Sequence, residues 1–411
     1  LVIDGEVFAI VNADTIHLSI AGPAGQQKAP AFGTSDSPFV INDYMEAVLS
    51  DQKAAGENAA VHSLYAGMSG ASLQLHTDAE VHADGAGNLH IVTAEGTGHT
   101  DGNITKVYVR NPGSVSIESQ TRTELLKELS DDASVSGDLT IRNINVFSPL
   151  TLKNLFGDIL MTEDGRADVS AELQLITDNA GVGRDIIPFN INYAGDAIPV
   201  IIEASDIYLT SSDDEELKVR ISSNGESRLT VTGEGITVIG EMNVRNGDIT
   251  IMNSNGNVGR IVSDSDVSEE IPFIIRADEN KNISAAARKL SLYIDPGTET
   301  ACGDLTLVAR EGLAKLYTAS AFNSMTVGGI AGSDGESGFC LYDLSSAEDP
   351  LQLNLATNVK NVKFFGPRAV TGTIHRIPGD RITVDGRSYL FSMNNAVTLR
   401  NFGLDNGNVP A

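Results

Sequence analysis

Short alternations of aliphatic and polar residues recur along the whole chain, and many of them follow a glycine and an acidic or amide residue. Gly137-Asp138-Leu139-Thr140-Ile141, Gly247-Asp248-Ile249-Thr250-Ile251 and Gly303-Asp304-Leu305-Thr306-Leu307 are the clearest copies. Looser ones start at Gly87, Gly102, Gly157 and Gly379. An aliphatic-polar-aliphatic triplet is a short strand with one face inward, and Gly-Asp or Gly-Asn is expected to supply a positive-φ corner before it. Leu73-Gln74-Leu75, Val115-Ser116-Ile117, Leu229-Thr230-Val231 and Ile236-Thr237-Val238 share the alternation without the glycine.

A longer unit overlies the short one. Val182-Gly183-Arg184 leads to Pro188-Phe189-Asn190-Ile191 and then to Asp206-Ile207-Tyr208-Leu209. Val258-Gly259-Arg260 leads likewise to Pro272-Phe273-Ile274-Ile275 and then to Leu290-Ser291-Leu292-Tyr293-Ile294. Phe32-Gly33-Thr34 with Pro38-Phe39-Val40-Ile41 reads as a third copy, and Asp349-Pro350-Leu351 as a degenerate fourth. Strands this short, with few helical stretches between them, argue against alternating strand and helix. They predict an all-β chain, a parallel β-helix (β-solenoid) whose coils of about 20 to 25 residues stack and bury an aliphatic stripe. The competing architecture is a string of antiparallel sandwiches, but the corners recur faster than sandwich strands allow. The whole of 1–411 is then one solenoid segment, and short helical excursions are expected at 43–56 and 121–130. Thr121 stands three residues before Glu124 at the second, which is capping-box spacing.

Composition narrows the function. Lys plus Arg total 28 against 55 Asp plus Glu, a net charge of −27, which repels phosphate and disfavours nucleic acid and anionic membrane. No apolar run reaches membrane-spanning length, so no membrane insertion is expected of this segment. Leu1-Val2-Ile3-Asp4-Gly5-Glu6 lacks the basic and apolar regions of a signal peptide, and the chain reads as a piece of something longer. Trp is absent and the aromatics are 9 Tyr and 13 Phe, so the core is mostly aliphatic. The two cysteines, Cys302 and Cys340, form no metal or redox motif. They are compatible with one disulfide, which would stabilise by roughly 4 kcal/mol in an oxidising compartment, or with two thiols in the core.

The glycine corner, the Pro-Phe strand and the Asp-Ile-Tyr-Leu strand together resemble the repeats of filamentous-haemagglutinin-like giant surface adhesins of diderm bacteria. Residues 182–209 and 258–294 carry the resemblance best and 32–41 more weakly. It implies a right-handed β-helical stalk that is exported, extracellular and held at the bacterial cell surface. The implied partner is a receptor or glycan on a host or neighbouring cell, and the implied state is a monomeric rod. The secretion domain with Asn-Pro motifs that this family uses is not present in the sequence, so the export route rests on the resemblance. A phage tail fibre or tailspike segment, usually trimeric, is the alternative of similar architecture.

β-Helices also host polysaccharide-degrading enzymes that use paired carboxylates. Asp213, Asp214, Glu215 and Glu216, or Asp264, Asp266, Glu269 and Glu270, are the candidates for such chemistry. Each set is contiguous and reads as a solvated turn, whereas a solenoid active site gathers residues from successive coils. His62, His76, His82, His90 and His99 are clustered, and His76, His82 and His90 are weak candidates for a zinc site or a pH-sensitive face. Calcium has many carboxylates available but no EF-hand or nonapeptide motif. Phosphate-binding loops and the serine nucleophile elbow are missing. The expectation is a non-enzymatic structural segment with no cofactor.

Overall fold

The computed structural model describes residues 114–128, 137–193, 199–211 and 216–260 as continuous stretches, and elsewhere between Val2 and Phe402 the individual strands with residues abutting them. It is a parallel β-solenoid, and no helix occurs among the described residues. Most strands pair in parallel with the strand two places along the chain, which is the signature of stacked coils and does not fit hairpin-built sandwiches. Two compact units divide the chain, 1–204 and 205–411.

In the first unit one ladder runs through Thr105–Val109, Thr123–Lys127, Leu150–Asn154, Leu173–Thr177 and Val200–Glu203. The other runs through Ser114–Ser119, Leu139–Val146, Ile159–Val169 and Phe189–Tyr193. Leu139–Val146 bends, so that 139–141 and 143–146 pair with separate parts of Ile159–Val169 and form two faces of the coil. The strands alternate in burial, as in the buried-intermediate-buried pattern of Leu150–Asn154. Leu125, Leu152, Leu175 and Ile202 thereby form one fully buried column, a rung per coil.

The second unit repeats the plan. Ser227–Val231, Ile249–Val258, Ile283–Ile294, Cys302–Ala309 and Phe322–Gly328 give a core column of Leu229, Ile251, Ala285, Leu307 and Val327. Glu216–Ser223, Thr237–Val244 and Phe273–Ala277 make the facing ladder. Successive coils advance by 22 residues from Leu229 to Ile251 and by 34 from Ile251 to Ala285, so an insertion enlarges some coils. The Pro-Phe motif does open a strand each time it is described. Phe189 and Phe273 follow their prolines directly and are completely buried.

The helical excursions are corrected. Residues 121–130 contain the strand Thr123–Lys127, and 43–56 contain the strand Glu46–Asp51. Thr123–Lys127 lies in parallel register between Thr105–Val109 and Leu150–Asn154. Helix propensities differ by less than about 1 kcal/mol per residue, and an isolated helix of this length is marginal in water. Ladder hydrogen bonds on two edges therefore override the composition. Lys127 is buried in this arrangement, and its ammonium donates to the Arg110 carbonyl.

The role of the corner glycines is also corrected. The described positive-φ glycines are Gly183, Gly235, Gly240 and Gly259, and the repeated Gly-Asp corners at 137, 157 and 247 are not among them. What those corners require is a missing side chain. A Cβ at Gly157 would lie 2.6 Å from Asp138 Oδ1 and 2.8 Å from the Gly137 carbonyl carbon, because backbone rests on backbone from coil to coil.

Candidate functional site

The chemistry-bearing side chains of the described residues form ladders between coils. At the Gly-Asp corner of the first unit, Asp138 Oδ1 accepts the Asp158 amide at 3.0 Å, and Asp158 Oδ1 accepts the Gly181 amide at 2.8 Å. The second unit does the same: Asp248 accepts the Asn282 amide at 2.8 Å, and Asn282 Oδ1 accepts the Asp304 amide at 2.9 Å. The acidic or amide residue at each of these corners, after a glycine at 138, 158 and 248 and after Lys281 at 282, thus caps the backbone one coil on, satisfying a donor that the turn leaves out of the ladder.

A buried asparagine braces the same corner from inside. Asn154 Nδ2 donates to the Gly137 and Asp158 carbonyls, each at 2.9 Å, and Asn253 Nδ2 donates to the Ile236 and Asn257 carbonyls at 3.0 and 2.9 Å. Both asparagines are wholly buried. The signal was present as Asn154-Leu155-Phe156-Gly157-Asp158-Ile159 and Asn253-Ser254-Asn255-Gly256-Asn257-Val258, an asparagine three residues before the glycine. A motif that begins at the glycine does not include it.

Cations serve as rungs across the acidic columns. Arg184 lies 3.0 Å from Asp138 Oδ2 and 3.3 Å from Asp158 Oδ2, spanning carboxylates of successive coils. Glu241 receives Arg276 at 2.7 Å and Arg220 at 3.0 Å. The hydrogen bond from Arg276 holds the Glu241 carboxyl below the usual glutamate range; burial opposes this, and the charges of Arg276 and Arg220 assist it.

The histidine candidates are not brought together. His76 ends the strand Ser72–His76, whose ladder neighbour Asn88–Thr93 places His90 opposite Ser72. The two positions are therefore about four residues, or roughly 13 Å, apart along the strand direction. His82 belongs to the other ladder, between Tyr65 and Tyr108. Its ring stacks on Tyr108 at 4.5 Å with an interplanar angle of 3°, and its nitrogens lie 3.2 Å from Glu80 and 3.2 Å from Glu128. His99 is outside the described residues. Among the described residues no group of three or more His, Cys, Asp or Glu is placed to hold a metal ion.

Of the contiguous carboxylate sets, Glu216 opens a strand and takes Arg260 through two contacts of 2.8 and 2.5 Å, instead of sitting in an open turn. Asp213, Asp214, Glu215, Asp264, Asp266, Glu269 and Glu270 lie outside the described residues. Tyr208 and Tyr293, read from sequence as equivalent, stand on different ladders. Tyr208 pairs with Thr230, whereas Tyr293 pairs with Ile274 and Tyr317. Cys302 and Cys340 are buried thiols with no disulfide between them, Cys302 opposite Phe322 on one ladder and Cys340 opposite Lys315 on the other. No helix among the described residues is long and apolar enough to cross a membrane.

No family model, curated protein or solved structure matches the chain. The chain is a β-helical repeat protein by its own geometry.

Proposed function

We propose that this β-solenoid is a non-catalytic structural segment of an exported bacterial filamentous adhesin, standing at the cell surface and supporting attachment to a receptor or glycan on a host or neighbouring cell. The observation that carries the reading is the investment of polar side chains in coil-to-coil contacts. Asp138, Asp158, Asp248, Asn282, Asn154 and Asn253 all hydrogen-bond backbone, and Arg184, Arg220 and Arg276 pair carboxylates between coils. A stack held by nearest-neighbour contacts resists local opening, which suits a support better than a cleft that must admit substrate. The repeat resemblance at 182–209 and 258–294 supplies the surface-adhesin class, and the surplus of 55 acidic over 28 basic residues limits self-association.

Labelling of intact source cells with antibodies against this chain, combined with an adhesion assay on a strain lacking it, tests the reading. Surface labelling and a loss of attachment are expected. Labelling confined to the cell interior, or release of sugar reducing ends from polysaccharide by the purified chain, would overturn it. A trimeric mass in solution would turn the reading to a tail fibre.

A further inference from the structure

We propose that His82 is an acid-set clamp on three successive coils of the first unit, closed when its ring is an imidazolium and open on one side when the ring is neutral. The coils contribute Ala79–Asp84, Thr105–Val109 and Thr123–Lys127, which pair in parallel one after another. His82 stands on the first and reaches the third. Its Nδ1 lies 3.2 Å from Glu128 Oε1, and its Nε2 lies 3.2 Å from Oε1 of Glu80 on its own strand. Tyr108 of the middle coil lies flat against the ring, with centroids 4.5 Å apart and an interplanar angle of 3°. The second Glu128 oxygen, Oε2, is 3.6 Å from Arg110, whose backbone amide donates to the Ala83 carbonyl.

The number of protons on the ring decides how many of these contacts hold. An ionised carboxylate only accepts, and a neutral imidazole has one N–H and one bare nitrogen. With carboxylate oxygens at both nitrogens, a neutral ring donates to one and turns a lone pair toward the other. An imidazolium donates to both, through charge-assisted hydrogen bonds. Tyr108 favours the same state, since a cation within about 6 Å of an aromatic centroid is drawn to the ring face. The charged and titratable groups around His82 among the described residues are Glu80 on its own strand, Lys106, Tyr108 and Arg110 from the middle coil, and Glu124, Lys127 and Glu128 from the third. Lys106 is 3.9 Å from Glu124, Arg110 faces Glu128, and the Lys127 ammonium donates to the Arg110 carbonyl, so each cation near the ring is engaged by an acceptor. Histidine ordinarily changes charge between about pH 5 and 8, above the glutamate range near 4.3. Contacts that only the charged ring makes in the folded chain stabilise fully below the histidine range and are lost as pH rises through it. The clamp is therefore closed near pH 5.5 and loosened near pH 8.

Amide hydrogen exchange of the full-length chain at about pH 5.5 and about pH 8, read as protection corrected for the intrinsic pH dependence of exchange, tests the clamp. Protection over 80–84, 105–110 and 123–128 is expected to be about two- to fivefold higher at the acidic pH, the range of a partly exposed ion pair, with 173–177 unchanged. His82→Gln, which cannot gain a charge, should abolish the difference. His90→Gln, at an exposed position on the other ladder, should keep it. Protection in the parent that is flat with pH or higher at the alkaline end, or a difference that survives His82→Gln or vanishes in His90→Gln, would each overturn the proposal. If His82→Gln loosens these coils at both pH values, Glu128→Gln decides the matter. Its amide can donate to a bare ring nitrogen, so protection should become equal at the two pH values, and a retained difference would defeat the clamp.

Discussion

Replacing Gly247 by alanine would put a methyl group where the neighbouring coil's backbone already lies. The added carbon would be 2.2 Å from Glu226 N and 2.3 Å from both Glu226 Cα and the Gly225 carbonyl carbon. Ordinary contact is about 3.5 Å, so the coils must part by about 1.3 Å at that corner. Coils are only about 4.8 Å apart, and the separation would break the adjoining bonds from Ser227 N to Asp248 O at 2.9 Å and from Arg245 N to Ser223 O at 3.0 Å. Overpacking of this kind costs about 3 kcal/mol once two backbone bonds of about 1 kcal/mol each are included. Gly225→Ala is the internal control, because its methyl meets only Ser205 Oγ at 3.3 Å. It should stay within about 1 kcal/mol of the parent, since it also narrows the unfolded ensemble. Guanidinium unfolding followed by circular dichroism gives the stability change. Hydrogen exchange should localise it to 227–231 and 249–253, with 139–169 unaffected, as nearest-neighbour coupling requires. Equal behaviour of the two alanine variants would refute the steric account. So would a Gly247→Asn variant more stable than Gly247→Ala, which is the order expected if the glycine were needed for a left-handed backbone.

Asn253→Ala and Asn154→Ala each leave two backbone carbonyls without the amide that joins them and should lower stability by about 2 kcal/mol, read in the same denaturation experiment. For Glu241 the folded-state pKa is lowered, so its stabilisation is full above the unfolded value of about 4.3 and is lost as pH falls through the lower folded value. Glu241→Gln should therefore cost up to about 1 kcal/mol near neutral pH, the arginines being partly exposed, and nothing in strong acid. A gap that persisted in acid would assign the loss to packing. With Cys302 and Cys340 held as thiols on separate ladders, dithiothreitol should leave the melting midpoint unchanged, and both should alkylate on denaturation without reductant; a blocked pair would show a disulfide.

The sequence by itself determined the coil. Local alternation such as Leu150-Thr151-Leu152 fixes which side chains turn inward, and Pro188-Phe189 and Pro272-Phe273 mark strand openings, because these depend on neighbours within a few residues. It also placed the glycine corners correctly while assigning the wrong cause, since the clash that excludes a Cβ at Gly157 comes from residues 137 and 138, one coil away. Tertiary structure decided whatever depends on coil length. Thr123–Lys127 became a strand only because ladders waited on both sides of it, and the register set His76 and His90 about four residues apart on one ladder and His82 on the other. Asp138, Asp248, Arg184 and Arg276 gained their partners across coils of unequal size. Stacking converts a variable distance in sequence into a fixed spacing between strands, and until the register is known no pattern along the chain says which residues will face one another.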